Sequence, residues 1–231
     1  MTMHTSTKPT VLITGANRGI GLELARQLSE RGDRVMATAR RPEAARELAR
    51  LDVRVEPLDV ADASSVASLA QRLEGIPIDV LIHNAGIGTA GGRIDRVAPE
   101  DVEAAFRVNA LGPLRVTQAL MPGLKAGQRK LIAGITSGLG SVSGNTSGGW
   151  GAYRISKAAL NQLFRTMAAD LRAQGLTFVV ISPGWVKTDM GGSGATLTPQ
   201  ESVAAMLKLL DRITPEDNGQ FFDHRGRQVE W

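Results

Sequence analysis

The 231-residue chain predicts an α/β fold: one domain built on a doubly wound, mostly parallel sheet of seven strands with helices on both faces. Three observations point to it. Short β-rich runs alternate with longer amphipathic ones at intervals of about 20 to 30 residues, the pattern of repeated βα units. Several of the β-rich runs are continuously apolar, as strands covered on both faces must be. The first run also ends on a glycine turn that opens directly into a helical pattern.

In chain order, residues 10–14 form the first strand and residues 20–31 the helix that follows the turn. Strands are expected at 34–39, 53–58, 78–83, 130–136 and 176–182, each a short run rich in Val, Ile, Leu or Thr. Between them, apolar residues at helical spacing predict helices at 43–51, 63–73, 100–124, 152–174 and 199–211. A last apolar pair, Phe221-Phe222, follows the turn-like Asp217-Asn218-Gly219 and predicts a seventh, edge strand. Ligands of such a sheet bind beyond the carboxyl ends of its strands. Two glycine-rich loops follow strand ends on that side, 86–92 and 137–151, the second with six Gly and four Ser. No linker divides the chain, so residues 1–9 read as a short leader and 10–231 as a single domain.

Composition excludes several functions. A hydrophobic fraction of 42% with 22% charged residues suits a soluble globular protein, and no apolar run approaches the roughly 20 residues of a membrane span. Without Cys there is no disulfide or thiolate chemistry, and His4, His83 and His224 are too scattered for a metal site. The net charge of +4 comes from Lys and Arg interleaved with Asp and Glu, where a nucleic-acid footprint would cluster. The expected setting is the cytoplasm, with no membrane and no nucleic-acid partner.

The turn Gly15-Ala16-Asn17-Arg18-Gly19-Ile20-Gly21 stands between strand and helix, where its glycines permit a tight turn and close approach of backbone to a pyrophosphate. The anion would sit on free N–H groups at the positive helix end. At the end of the second strand an acid would accept from a ribose 2′-OH, whereas Arg accommodates a 2′-phosphate. Here the sequence is Ala37-Thr38-Ala39-Arg40-Arg41, and Asp33 lies at the strand's other end. Arg40, with help from Arg18, therefore predicts NADP(H).

Tyr153, the only tyrosine, stands one helical turn before Lys157, so phenol and ammonium share a face. A positive charge about 5 Å away at an effective dielectric near 20 is worth roughly 3 kcal/mol, or about two pK units of depression. That would make Tyr153 an acid/base near neutral pH.

From residue 11 to the end the chain resembles the short-chain dehydrogenase/reductase family. The resemblance rests on Thr14-Gly15 with Gly19 and Gly21, on Asn84-Ala85-Gly86, on Tyr153 with Lys157, and on Pro183-Gly184, in that order. The wording 145–154, Asn-Thr-Ser-Gly-Gly-Trp-Gly-Ala-Tyr-Arg, is similar to the C-factor and sniffer-type carbonyl reductase branch. The resemblance implies a Rossmann-type sheet and a hydride exchange between NADP(H) and a carbonyl or alcohol, with Tyr153 as acid/base. Lys157 would bind the nicotinamide ribose and lower the Tyr pKa, a Ser would hold the substrate oxygen, and Asn109 would support a relay water. Ser137 matches the family's Ser at a strand end, although it lies sixteen residues before Tyr153 and Ser141 stands closer to the usual spacing. An insertion at 145–149 accounts for the excess, and Ser137 is preferred. The implied cofactor contacts are Gly15, Asn17, Arg18, Gly19, Ile20, Arg40, Asp59, Val60, Asn84, Ala85, Gly86, Tyr153, Lys157, Pro183, Gly184, Val186 and Thr188. Asp59 has a competing use, as does Asp62, in capping the next helix. His83 stands where the family often has Asn. The resemblance also implies a homodimer or homotetramer assembled through the helices at 100–124 and 152–174, and leaves open a signalling protein of C-factor type with slow turnover. Trp185 and Met190 border either the substrate pocket or the core.

Overall fold

A computed structural model describes residues 8–89 and 91–231, so most of the expected leader lies outside the described residues. Seven strands, β1 (Thr10–Ile13), β2 (Arg34–Ala39), β3 (Arg54–Pro57), β4 (Val80–His83), β5 (Leu131–Ile135), β6 (Thr177–Ser182) and β7 (Gln220–Asp223), form one sheet in the order β3-β2-β1-β4-β5-β6-β7. Every pairing is parallel, including that of β7 with β6, so the sheet is parallel throughout. The chain winds outward in one direction from β1 and in the other from β4. A crevice therefore opens beyond the carboxyl ends of these two neighbours.

The period of two along a strand divides the core. Val11 and Ile13 pack on one face with Leu24 and Leu28 of α1 (Gly19–Glu30) and with Val203 and Met206 of α7 (Pro199–Arg212). Leu12 points to the other face, toward Leu69 of α2 (Ala63–Arg72), Val116 of α4 (Gly112–Ala119), Leu124 of α5 (Met121–Ala126), and Leu160 and Phe164 of α6 (Gly151–Asp170). Each fully buried side chain of this size contributes roughly 1.5–3 kcal/mol relative to exposure. Helix starts are marked as chemistry requires. Asp62 accepts from the Ser64 N–H at the head of α2, and Thr198 and Glu201 form a capping box before Pro199 at the head of α7.

Two helical expectations do not hold. Residues 43–51 form two short 3₁₀ turns, Pro42–Ala44 and Leu48–Arg50, in place of an α-helix. Of that stretch only Ala45 and Leu48 are buried, and so short a segment needs more tertiary contact to nucleate a helix. Residues 100–124 are three helices in place of one: α3 (Pro99–Phe106), a π-helical turn at Arg107–Leu111, then α4 and α5. Pro113 and Pro122 supply no N–H to the carbonyls four residues before them, which breaks the ladder at both joints. Among the described residues no helix is long and apolar enough to cross a membrane.

Candidate active site

A cleft of about 660 Å³ lies at the carboxyl edge of the sheet, a volume typical of ligand sites. All of the cofactor-side residues expected from the sequence border it. Its floor is the glycine turn. Gly15 has φ +68°, and a Cβ on Gly21 would stand 2.4 Å from both the Gly15 carbonyl oxygen and Asn84 Nδ2, so neither position accepts a side chain. The Gly15 N–H donates to Thr38 Oγ1 at 3.2 Å and the Ala16 N–H to the Thr38 carbonyl at 2.7 Å, which ties the turn to β2. On the other side Asn84 Nδ2 donates to the Thr14 and Gly15 carbonyls at 3.0 and 2.8 Å, and Thr14 Oγ1 accepts from the N–H groups of Asn84 and Ala85. Asn84 thus holds the turn open from beneath. No side chain caps the start of α1, leaving its first N–H groups for an anion.

Along the same cleft, Arg40 is exposed at the end of β2. Asp33, at the opposite end of that strand, is paired with Arg31 at 2.5 Å. Asp59 uses Oδ1 to accept from the Ala61 N–H at 2.9 Å, while the helix cap falls to Asp62. Arg18 is drawn away from Arg40: its guanidinium pairs with Asp189 at 2.5 Å across the loop that follows β6. These residues fit a phosphorylated dinucleotide, with an uncapped helix start for its diphosphate and an unopposed Arg where a 2′-phosphate would lie.

The far end of the cleft holds Ser137, Tyr153 and Lys157. Lys157 Nζ stands 5.7 Å from the Tyr153 ring centroid, as a one-turn spacing on α6 requires. Its ammonium donates to the Ile135 carbonyl at 2.8 Å, and burial lowers its pKa to about 8. Burial also pushes the Tyr153 phenol up to about 12, and a side-chain interaction with Ser137 pulls the other way. The expected two-unit depression by Lys157 is therefore absent here. Desolvation of the phenol prevails, and the neighbouring ammonium is turned toward a carbonyl.

Ser141 lies outside the cleft, accepting from the Gly144 N–H at 3.0 Å and bonded to Ser143 at 3.3 Å. The turn that carries Ser137 is fastened to α6. Thr136 Oγ1 donates to Asn161 Oδ1 at 2.6 Å and Asn161 Nδ2 to the Gly140 carbonyl at 3.1 Å. Asn109 is 1% exposed and does not border the cleft. Its side chain exchanges two hydrogen bonds with the Ile87 backbone, at 2.8 and 2.9 Å, and donates to Ser156 Oγ at 2.9 Å. It thus pins the segment after β4 to the helix of Tyr153. His83, the departure from the family pattern, is a core residue: its Nε2 meets Thr117 Oγ1 at 2.9 Å and its ring stands edge-on to Phe164.

Sequence reasoning missed the apolar wall beside Tyr153, which includes Ile87, Leu139 and Trp150. The signal was the Gly148-Gly149-Trp150 run, where all three residues have positive φ and turn the indole toward the cleft. A Trp held in that region costs roughly 1–3 kcal/mol of backbone strain.

Comparison with known proteins accords with this geometry. The short chain dehydrogenase family model matches residues 9–196. C-signal of Myxococcus xanthus is 49% identical over 155 residues, covering 67% of this chain and 93% of that protein. Among solved structures, carbonyl reductase Sniffer of D. melanogaster superposes with a TM-score of 0.90 at 30% identity, over 97% of this chain and 100% of its own. An NADPH-bound carbonyl reductase from chicken fatty liver also gives 0.90, at 35% identity over 97% and 99% of the two chains. The chain belongs to the short chain dehydrogenase family of oxidoreductases, in the branch of C-signal and Sniffer.

Proposed function

We propose that the protein transfers a hydride between NADP(H) and a carbonyl or alcohol substrate, with Tyr153 as the acid/base. The observation that carries this reading is the meeting of Tyr153, Ser137 and Lys157 in the cleft that also contains the glycine turn and Arg40. When bound, the nicotinamide supplies the hydride that adds to the carbonyl carbon. Tyr153 delivers the proton to the carbonyl oxygen, and in the reverse direction receives it from the alcohol. Burial pushes the phenol up to about 12, so at neutral pH it carries the proton to be delivered, but its acidity in the transfer has to come from its neighbours, Ser137 and Lys157. Ser137 donates to the same oxygen and orients it toward the phenol. Lys157 would hold the ribose hydroxyls of the bound dinucleotide, and its charge favours loss of the phenolic proton during transfer. Asn109 acts as a positioning residue through Ile87 and Ser156. Arg40 and the uncapped head of α1 take the 2′-phosphate and the diphosphate. A preference for NADP(H) makes reduction the working direction.

Assembly into a homodimer or homotetramer through α3 and α6 is supported by Phe106 and Ile155, large apolar side chains exposed on those two helices. A second function, dinucleotide-dependent signalling with slow turnover, is favoured by one observation, the 49% identity to C-signal. Tight NADPH binding without oxidation against any member of a carbonyl panel would select it.

Tyr153→Phe should lower kcat about 10²- to 10⁴-fold while NADPH still binds, measured by fluorescence titration and steady-state kinetics. Full activity in this variant rules the mechanism out. Arg40→Ala should weaken NADPH about tenfold and leave NADH almost unaffected. An equal loss for both dinucleotides would remove Arg40 from the 2′-phosphate. Lys157 has a folded pKa of about 8 against an ordinary 10.5. Between those values the unfolded chain binds the extra proton, so this group makes stability rise with pH across the window. Lys157→Met should therefore melt above wild type at pH 7, with the gap closing from about pH 8 to about 10.5. A gap that stays constant in thermal melts across that range contradicts the buried-ammonium cost. Light scattering of the purified protein should give two or four subunits; a monomer at micromolar concentration would discard the assembly.

A further inference from the structure

Next to the proton-transfer group the cleft is walled by Ile87, Gly88, Leu139, Trp150, Trp185 and Met190, none of which is charged. Trp150 is held in place from three directions. Its backbone is left-handed, φ 55° and ψ 34°, at the N-terminus of α6 three residues before Tyr153. Arg154 fastens the turn before it, donating to the Gly149 and Gly148 carbonyls at 3.0 and 3.2 Å, to Ser147 Oγ at 3.2 Å and to the Leu139 carbonyl at 3.3 Å. The indole lies against Gly91, where a Cβ would come within 3.2 Å of Cε2 and Cζ2. Even so, Trp150 remains 46% exposed, with ring surface left for a ligand. Met190 is seated in the same way over Gly88, and 52% exposed.

A left-handed conformation is costly for a bulky residue and costless for glycine, and glycine would satisfy the backbone here as it does at the two preceding positions. The large ring has a use that its backbone does not explain. Of the cationic groups on the cleft, Arg18 pairs with Asp189, Lys187 lies near Glu201, Lys157 donates to the Ile135 carbonyl, and Arg40 stands at the end of β2 where a 2′-phosphate would lie. A carboxylate on the substituent, lying against Ile87, Leu139, Trp150 and Met190, would meet apolar surface at the cost of its hydration.

We propose that Trp150 is a specificity-determining residue, a rigid stacking platform that selects carbonyl compounds with a flat apolar, aromatic substituent. This rests on the reading of Tyr153 as the group that protonates the carbonyl oxygen. The substituent lies between the indole and the Met190 thioether, and the carbonyl is thereby turned toward Tyr153 and Ser137.

Trp150→Gly removes the ring while relieving the backbone, and so tests the proposal without endangering the fold. The paired substrates are benzaldehyde and propanal with NADPH, and the non-reducible probe is benzamide, titrated calorimetrically into NADPH-saturated protein. The ratio of kcat/KM for benzaldehyde over propanal should fall about tenfold in Trp150→Gly, with a similar loss of benzamide affinity. Trp150→Phe should retain most of both. An unchanged ratio and unchanged benzamide affinity overturn the proposal, as does an equal loss for both aldehydes with a lowered melting temperature. Should wild type reduce neither aldehyde while benzamide binding still depends on Trp150, the platform stands and the carbonyl-reduction reading fails. Wild type that binds no benzamide disposes of the platform whatever its activity.

Discussion

The cleft depends on the seating of α6 against the end of β5. Lys157 reaches the Ile135 carbonyl, Asn161 takes the Thr136 hydroxyl and returns a hydrogen bond to Gly140, and all three links are buried. Gly140 is the steric condition for them, because a Cβ there would stand 2.9 Å from Lys157 Cβ. Ser137 sits inside this clasp, between the strand that ends at Ile135 and the turn that ends at Gly140. Its approach to Tyr153 is set by the packing of a helix on a strand end, so the donor pair needs little reorganisation to meet a substrate oxygen.

That clasp buries an ammonium at the edge of the cleft. Lys157 is 5% exposed, and among the described residues its acceptor is a carbonyl, with no carboxylate paired to it. Burial opposes its charge and opposes ionisation of the neighbouring phenol, so the phenol stays protonated while the ammonium gives up its proton more readily than an exposed one would. The cores on the two faces of the sheet supply the stability against which this arrangement is held. A substrate oxygen and ribose hydroxyls would give both groups polar partners that the present neighbours do not.

Much of this was legible in the chain. The glycine turn, the apolar strand runs and the Tyr-Lys spacing are local signals, and local geometry decides them. Arg40 was legible because strand polarity alone separates it from Asp33. Other features were not. The 43–51 segment has the apolar spacing of a helix, but what decides it is how few of its residues find a surface to cover. The Tyr153 pKa could not be had from a distance to Lys157, since the result turns on desolvation of both groups and on where the ammonium points. Asn109 was expected inside a continuous helix but lies in the π-helical turn, and its partners, Ile87 and Ser156, are 22 and 47 residues away in sequence. The Arg18–Asp189 pair spans 171 residues and has no sequence signature at all.

The π-helical turn at Arg107–Leu111 has a bearing on angular phase. One residue added to an α-helix rotates everything downstream by about 100°. A wider turn absorbs that extra residue where it occurs, so the helix beyond keeps its orientation. Val116, Thr117 and Leu120 accordingly remain buried beyond the turn, while Asn109 is swung toward Ile87 and α6. Deleting one residue between Arg107 and Leu111 would remove the wider turn and keep the core-facing stripe in phase, with Pro113 still interrupting the hydrogen-bond ladder. The fold would persist as a sheet with its helices in register, but Asn109 would lose the angle at which it meets the segment after β4. The site is thus tuned by a rotation confined to five residues, largely decoupled from the packing that holds the domain together.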